Sequence, residues 1–142
     1  GGPGGTATEA LGSWRMPGAA SPGARRVLKT HAPATMPPWH SMADGAKIIV
    51  VVRNPKDAAV SNFHHTRDVD EFQYKGSWEH FLEELFLPGR LVSGSFWEWY
   101  ASWWREHQAH PERVLWISYE ELAADFTAAA SRLDAFLRGG GS

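Results

Sequence analysis

The chain has 142 residues, 43% of them hydrophobic, which suits one folded domain with a single core. Its 14 basic and 16 acidic residues give a net charge of −2, which argues against a protein that holds nucleic acid mainly by neutralising phosphates. Cysteine is absent, which excludes disulfides, thiolate catalysis and cysteine-ligated zinc and suits a reducing compartment. Because no apolar run approaches the roughly 18 residues of a membrane span, and no signal peptide is recognisable, we expect no membrane association.

The two ends of the chain are poor in large apolar side chains. Glycine, proline and alanine dominate residues 1–24, which predicts a disordered segment or linker there. The run Gly139–Ser142 predicts a flexible tail. The folded part should therefore span residues 25–138.

Between these ends the pattern alternates strands and helices, as in an α/β fold with a parallel sheet. Strands are predicted at residues 26–30, 46–52 and 113–118. The second is a continuous β-branched run, which predicts a strand buried on both faces. Asn54 and Pro55 then begin a helix that should run to about Thr66.

Serine caps and apolar periodicity predict the remaining helices. Ser77 precedes a helix that buries one face. The apolar side chains of that face are Trp78, Phe81, Leu82, Leu85 and Phe86. Ser95 caps a helix over 96–108, whose tryptophans predict a core or a pocket wall rather than a nucleic-acid platform. Residues 119–137 are also predicted to be helical, with a break near Asp125.

The first candidate site lies where the second predicted strand meets the following helix. Ligands of open parallel sheets bind beyond the carboxyl ends of the strands, and a helix N-terminus offers free N–H groups to an anion. Arg53 adds a forked cation suited to a phosphate, and Ser61 adds a hydroxyl two turns into the helix. The alternative is that Arg53 is a surface arginine and Ser61 a small packing residue.

Two further candidates follow the other predicted strands. His31 can accept a proton near neutral pH, and Lys29 beside it can stabilise charge on a transferring group, although a lone loop histidine is equally a polar surface residue. Tyr119 follows the third strand and could contact a nucleobase, or could simply be half-buried at a helix start. The pairs His64-His65 and His107/His110 lack a carboxylate at ligand spacing, so no metal site is predicted.

Five segments together resemble the cytosolic-type sulfotransferases. They include the K-T-H segment that holds His31, and the R-N-x-K-D-x-x-x-S motif that runs from Arg53 to Ser61. The matching segments, in chain order, are 26–33, 47–61, 76–82, 94–104 and 114–122. The resemblance covers about residues 25–138 and implies a three-layer α/β/α fold with a parallel sheet, of the P-loop NTPase-like sulfotransferase type.

The resemblance implies an activity and a set of site residues. The family transfers a sulfuryl group from 3′-phosphoadenosine 5′-phosphosulfate (PAPS) to a hydroxyl or amine of a small-molecule acceptor. His31 would be the general base, and Lys29 would stabilise charge around the sulfuryl group. Arg53 and Ser61 would hold the 3′-phosphate, and Tyr119 would lie against the adenosine. The K-T-H motif and the absence of cysteine and of a signal anchor favour a cytoplasmic member over one from the secretory pathway.

The sequence also departs from the family pattern. It has no counterpart of the phosphosulfate-binding loop P-K-S-G-T-T-W and no C-terminal R-K-G segment, so we expect a fragment with an incomplete fold, whose activity alone is in doubt. The alternative is a non-catalytic sulfotransferase-like module that binds an adenine nucleotide or a protein partner. The presence of Lys29, His31, Arg53 and Ser61 favours the enzyme. A kinase is disfavoured because no G-x-x-x-x-G-K-[ST] motif is present.

Overall fold

The computed structural model describes residues 27–36 and 46–139. The chain divides into two units, residues 1–30 and residues 31–142. In the first unit the described residues, 27–30, are irregular, so the strand predicted at 26–30 is wrong for them. A strand needs a neighbouring backbone to pair with, and the sheet of the described residues consists of two other strands. The predicted disordered segment 1–24 lies outside the described residues, as does most of the predicted tail.

A parallel sheet lies at the centre of the second unit. Its strands are β1 (Ile48–Val52) and β2 (Val114–Ser118), and β1 pairs with β2 from Ile48 opposite Val114 to Val52 opposite Ser118. Parallel strands need a long crossover, which the helices between them provide. This register brings the carboxyl ends of both strands level at one edge, so residues just beyond Val52 and Ser118 are neighbours.

Within residues 27–36 and 46–139, five helices accompany the sheet. They are α1 (Pro55–Asp68), α2 (Trp78–His80, continued by a π-helical turn over Phe81–Phe86), α3 (Phe96–Ala109), α4 (Tyr119–Ala124) and α5 (Phe126–Arg138). The predicted break near Asp125 is confirmed, because Asp125 ends α4 and its carboxylate caps α5. Among the described residues no helix is both long enough and apolar enough to cross a bilayer.

The two strands differ in how they are covered. In β2 the consecutive residues Val114 and Leu115 are both buried, and α3 and α5 both contact the strand, so helices cover both of its faces. In β1 burial alternates instead. Val50 is 3% exposed, whereas Val51 is 51% exposed. The predicted burial of β1 on both faces is therefore wrong, because only one of its faces is packed within the described residues.

The π-helical turn in α2 departs from the predicted α-helix. The Leu87 N–H donates to the Leu82 carbonyl, five residues back, at 2.9 Å. With this spacing Phe81 and Phe86, also five residues apart, are both buried in one core cluster with Ala59. A second cluster, which includes Val50, Val114 and Trp103, packs α3 against the sheet.

Candidate functional site

Arg53, from the first candidate site, lies where the carboxyl ends of both strands meet. Because Val52 is paired with Ser118, Arg53 and Tyr119 are the first residues beyond the paired strands. The guanidinium carbon of Arg53 lies 4.6 Å from the centroid of the Tyr119 ring, which is a cation–π contact. The parallel register thus joins two predicted site residues that are far apart in the sequence.

Arg53 has an unsatisfied donor. Its Nε is buried and forms no hydrogen bond with any group of the described residues. A buried donor without an acceptor costs about 1–3 kcal/mol, which a ligand oxygen at this position would offset. A guanidinium with a free donor is chemically suited to a phosphate oxygen, and the phosphate role of Arg53 stays a prediction.

The N-terminus of α1 offers fewer free amides than its sequence suggests. Pro55 has no N–H, and the Lys56 N–H donates to Oδ1 of Asn54 at 2.9 Å. The Ala58 N–H donates to the Asn54 carbonyl at 2.8 Å. Anion binding at this turn would therefore depend mainly on the side chain of Arg53.

Glu120 holds the same turn from the neighbouring strand end, a role that the sequence analysis missed. Its Oε1 accepts a hydrogen bond from the Asn54 backbone N–H at 2.9 Å. This bond, followed by Glu120's own backbone N–H and the charge of Arg53, holds the pKa of the Glu120 carboxyl below its usual range. The sequence feature that could have indicated this role is the acidic residue directly after Tyr119, at the carboxyl end of a parallel strand.

The segment that follows His31 is anchored to α3. The Ala34 N–H donates to Ser102 Oγ at 3.0 Å, and Trp103 Nε1 donates to the Ala32 carbonyl at 3.0 Å. Ser102 and Trp103 are both buried. The sequence predicts a core or a pocket wall for the tryptophans of α3, and Trp103 is indeed in the core. It does not single out Ser102, the polar residue among them that forms this anchor.

His31 and Arg53 line one cleft of about 260 Å³. Its apolar walls come from β1, the π-helical turn, the loop after it and α3: Val51, Val52, Phe86, Leu91, Phe96 and Trp99. Polar groups reach it from Asn62 of α1 and from the loop that precedes α3. Gly94 of that loop has φ +86°, a conformation that favours glycine. The structure thus places a potential proton acceptor and a potential phosphate ligand in the same cavity.

Two of the other predicted site residues, Ser61 and Lys29, are exposed. Ser61 is exposed on α1 and does not line this cleft. Lys29 belongs to the first unit, and its side chain is exposed.

Of the histidines weighed as metal ligands, His107 donates through Nδ1 to the Val114 carbonyl at 2.9 Å. Within residues 27–36 and 46–139, no three potential metal ligands cluster.

Comparison with known proteins finds relatives in a single family. Residues 18–139 match a family described as the sulfotransferase domain. Sulfotransferase 6B1 of Pan troglodytes is 37% identical over 123 residues, which make up 87% of this chain and 39% of that protein. Sulfotransferase 1A1 of Bos taurus is 36% identical over 102 residues, or 72% of this chain and 34% of that protein. The chain spans about a third of the length of these curated relatives.

Two solved structures are similar to the described fold. Mouse sulfotransferase SULT7A1 complexed with PAP has a TM-score of 0.72 and 42% sequence identity, over 80% of this chain and 40% of that one. Retinol dehydratase, in complex with androsterone and inactive cofactor PAP, has a TM-score of 0.71 and 29% identity, over 84% of this chain and 34% of that one. The predicted α/β class with a parallel sheet is confirmed, as a part of the larger fold of these neighbours.

Proposed function

Because this chain belongs to the sulfotransferase domain family, we propose that it forms part of an enzyme that transfers a sulfuryl group from PAPS to a hydroxyl or amine of a small-molecule acceptor. The observation that carries the proposal is the single cleft lined by His31 and Arg53. When bound, PAPS supplies the sulfuryl group, and 3′-phosphoadenosine 5′-phosphate (PAP) is released. The PAP complexes of the two structural neighbours support this donor.

His31 is proposed as the general base. Its imidazole is exposed at the cleft, where it can take the proton from an acceptor hydroxyl as the oxygen attacks sulfur. The bonds from Ala32 and Ala34 to α3 fix the backbone next to it. Lys29 is proposed, on the family motif, to stabilise charge around the sulfuryl group.

Arg53 is proposed to bind the 3′-phosphate. Its buried, unsatisfied Nε and its contact with Tyr119 provide a pre-oriented donor for an anion. Tyr119 is half-exposed and can present its ring to the adenosine. Ser61 is proposed as a second ligand of the phosphate, because it occupies the serine position of the R-N-x-K-D-x-x-x-S motif. The chemistry assigned to these residues uses no metal ion.

The acceptor class and location are part of the same proposal. The androsterone complex of retinol dehydratase supports a small-molecule acceptor. The K-T-H segment around His31, typical of cytosolic-type members, favours the cytoplasm as the location.

Isothermal titration of the chain with PAP tests the proposed phosphate site. We expect micromolar binding, and at least a tenfold loss of affinity in Arg53→Ala, because a charge-assisted bidentate contact is lost. Arg53→Lys should bind PAP with an intermediate affinity, since lysine keeps the positive charge and lacks the two-pronged donor group of arginine. Arg67→Ala, which removes an exposed guanidinium from α1, is the matched control and should bind like the wild type.

Two outcomes contradict the proposal. Binding of PAP that survives Arg53→Ala would show that Arg53 does not hold the phosphate. No binding by a chain that circular dichroism shows to be folded would contradict the phosphate site and favour a non-catalytic module that binds a protein partner.

A further inference from the structure

Asn62 lines the cleft and carries a buried hydrogen-bond acceptor. Its Oδ1 forms no hydrogen bond with any group of the described residues. Asn62 and Ala58, four residues apart on α1, both line the cavity, so one face of this helix borders it. Asn62 therefore borders the same cleft as His31 and Arg53. Its Oδ1 needs a hydrogen-bond donor, whereas Arg53 Nε needs an acceptor.

The chemistry of the oxygen narrows what can satisfy it. Phosphate and sulfate groups present mainly acceptor oxygens near neutral pH, so they cannot pair with Asn62 Oδ1. A reacting hydroxyl has one proton, which His31 takes. A second O–H or N–H of the molecule that occupies the cleft is a partner that meets this requirement.

The walls of the cleft favour a ring. Aromatic side chains from the π-helical turn and from α3 line it: Phe86, Phe96 and Trp99. Such side chains bind apolar rings by burial and by edge or stacked contacts. The part of the cleft that this chain forms has a volume of about 260 Å³, just below the range of roughly 300–1,000 Å³ that is typical of ligand pockets, so it suits a small ring.

We propose that Asn62 is a specificity-determining residue, which selects small ring-bearing acceptors that carry a second O–H or N–H besides the reacting group. The inference rests on the proposed function, because it treats the cleft as the acceptor site. Asn62 Oδ1 accepts the bond from the second donor, and His31 faces the reacting hydroxyl. An acceptor without that donor leaves the amide oxygen buried and unpaired, and binds more weakly for that reason.

A matched pair of probes tests this selection. 4-(Hydroxymethyl)phenol and 4-(methoxymethyl)phenol differ in one donor hydrogen and a methyl group, and both are titrated into the 142-residue chain by ¹H–¹⁵N NMR. We expect the wild type to bind the hydroxymethyl compound about fivefold to tenfold more tightly. Asn62→Leu should remove this preference, and Asn62→Asp, which keeps an acceptor, should retain it. Asn62→Ala replaces the leucine variant if leucine disturbs the fold, and Val60→Ala, on the exposed side of α1, is the control.

Each result has a defined meaning. Equal binding of the two probes by the wild type, or a preference that survives Asn62→Leu, would overturn the inference. A loss of PAP affinity in Asn62→Leu as large as that in Arg53→Ala would also overturn it, because Asn62 would then belong to the donor site. If the chain fails to bind PAP at all, the proposed function fails, whatever the probes show. If PAP binds and the probes are not distinguished, only the role of Asn62 fails.

Discussion

The carboxylate of Glu120 joins the ends of the two strands through the backbone N–H of Asn54. That bond fixes the turn from which the Arg53 side chain leaves the backbone. The Asn54 N–H stabilises the charged form of the Glu120 carboxyl. Protonation of Glu120 would therefore weaken this hydrogen bond and loosen both the turn and the neighbouring side chain of Arg53. Glu120 therefore acts on the site by positioning Arg53.

Acidification should reveal this bond. Since the pKa of Glu120 is lowered on folding, its contribution to stability is present above the ordinary glutamate pKa of about 4.3 and is lost as the pH falls from there toward the lowered value. We expect the free energy of unfolding to fall less between pH 6 and pH 3.5 in Glu120→Gln than in the wild type, measured by urea denaturation. Glu83→Gln changes an exposed acid of α2 and should keep the wild-type dependence. A slope in Glu120→Gln as steep as that of the wild type would contradict the assignment.

The site residues that the sequence identified are those with a local pattern. Arg53 follows a β-branched run and precedes a capped helix, and His31 lies in a short motif, so both could be singled out. Glu120 and Asn62 could not, because their roles depend on what the fold brings near them. Glu120 can bind the Asn54 N–H only because the strand register brings the two residues together.

Helix α3 supports the site by hydrogen bonds to the segment that follows His31. Ser102 Oγ accepts from the Ala34 N–H and donates to the Trp99 carbonyl at 2.8 Å, inside the packed interior. Without the hydroxyl, the Ala34 amide would be buried with no acceptor. The helix therefore contributes a specific anchor in addition to its apolar face.

Removal of this hydroxyl should be costly. Ser102→Ala is expected to lower the free energy of unfolding by about 1–3 kcal/mol, measured by chemical denaturation, because a buried N–H is left unsatisfied. Ser131→Ala deletes an exposed hydroxyl of α5 that bonds only the Thr127 carbonyl in its own helix, and should change stability by less than about 0.5 kcal/mol. Equal losses in the two variants would show that Ser102 does not anchor the segment.

Helices with caps and a regular apolar face were predictable, and their bounds differ from the predicted ones by a residue or two. The π-helical turn was not, because the apolar spacing from Trp78 to Phe86 also fits an α-helix and only tertiary packing buries Phe81 and Phe86 together. The predicted strand at 26–30 failed for a related reason. Local β propensity does not supply the partner that a strand requires.

At the scale of the whole molecule, one face of β1 has no cover within the described residues, although the β2 residues paired with it are buried. Ile49 and Val51 of β1 are 40% and 51% exposed on that face. Exposed β-branched side chains on a strand favour association with another chain. This face is therefore the expected source of any self-association of the chain.

Sedimentation velocity at rising protein concentration tests this expectation. Ile49→Lys should shift the chain toward the monomer, because a charge on the open face opposes pairing. Gln108→Lys adds the same charge at an exposed position of α3 and should leave association unchanged. A similar effect in both variants would attribute the change to net charge instead of the β1 face.

The pairing of Val52 with Ser118 can be lost during folding if β1 and β2 pair in a shifted register. A slip of two residues between the strands would keep the same side chains on the same faces, so burial alone discriminates against it only weakly. Such a slip would carry Tyr119 and Glu120 about 7 Å along the strand, away from Arg53 and Asn54. The contacts that shape the proposed phosphate site therefore also distinguish the correct strand alignment from the two-residue slip. A chain that binds through this site would be one that has folded in register.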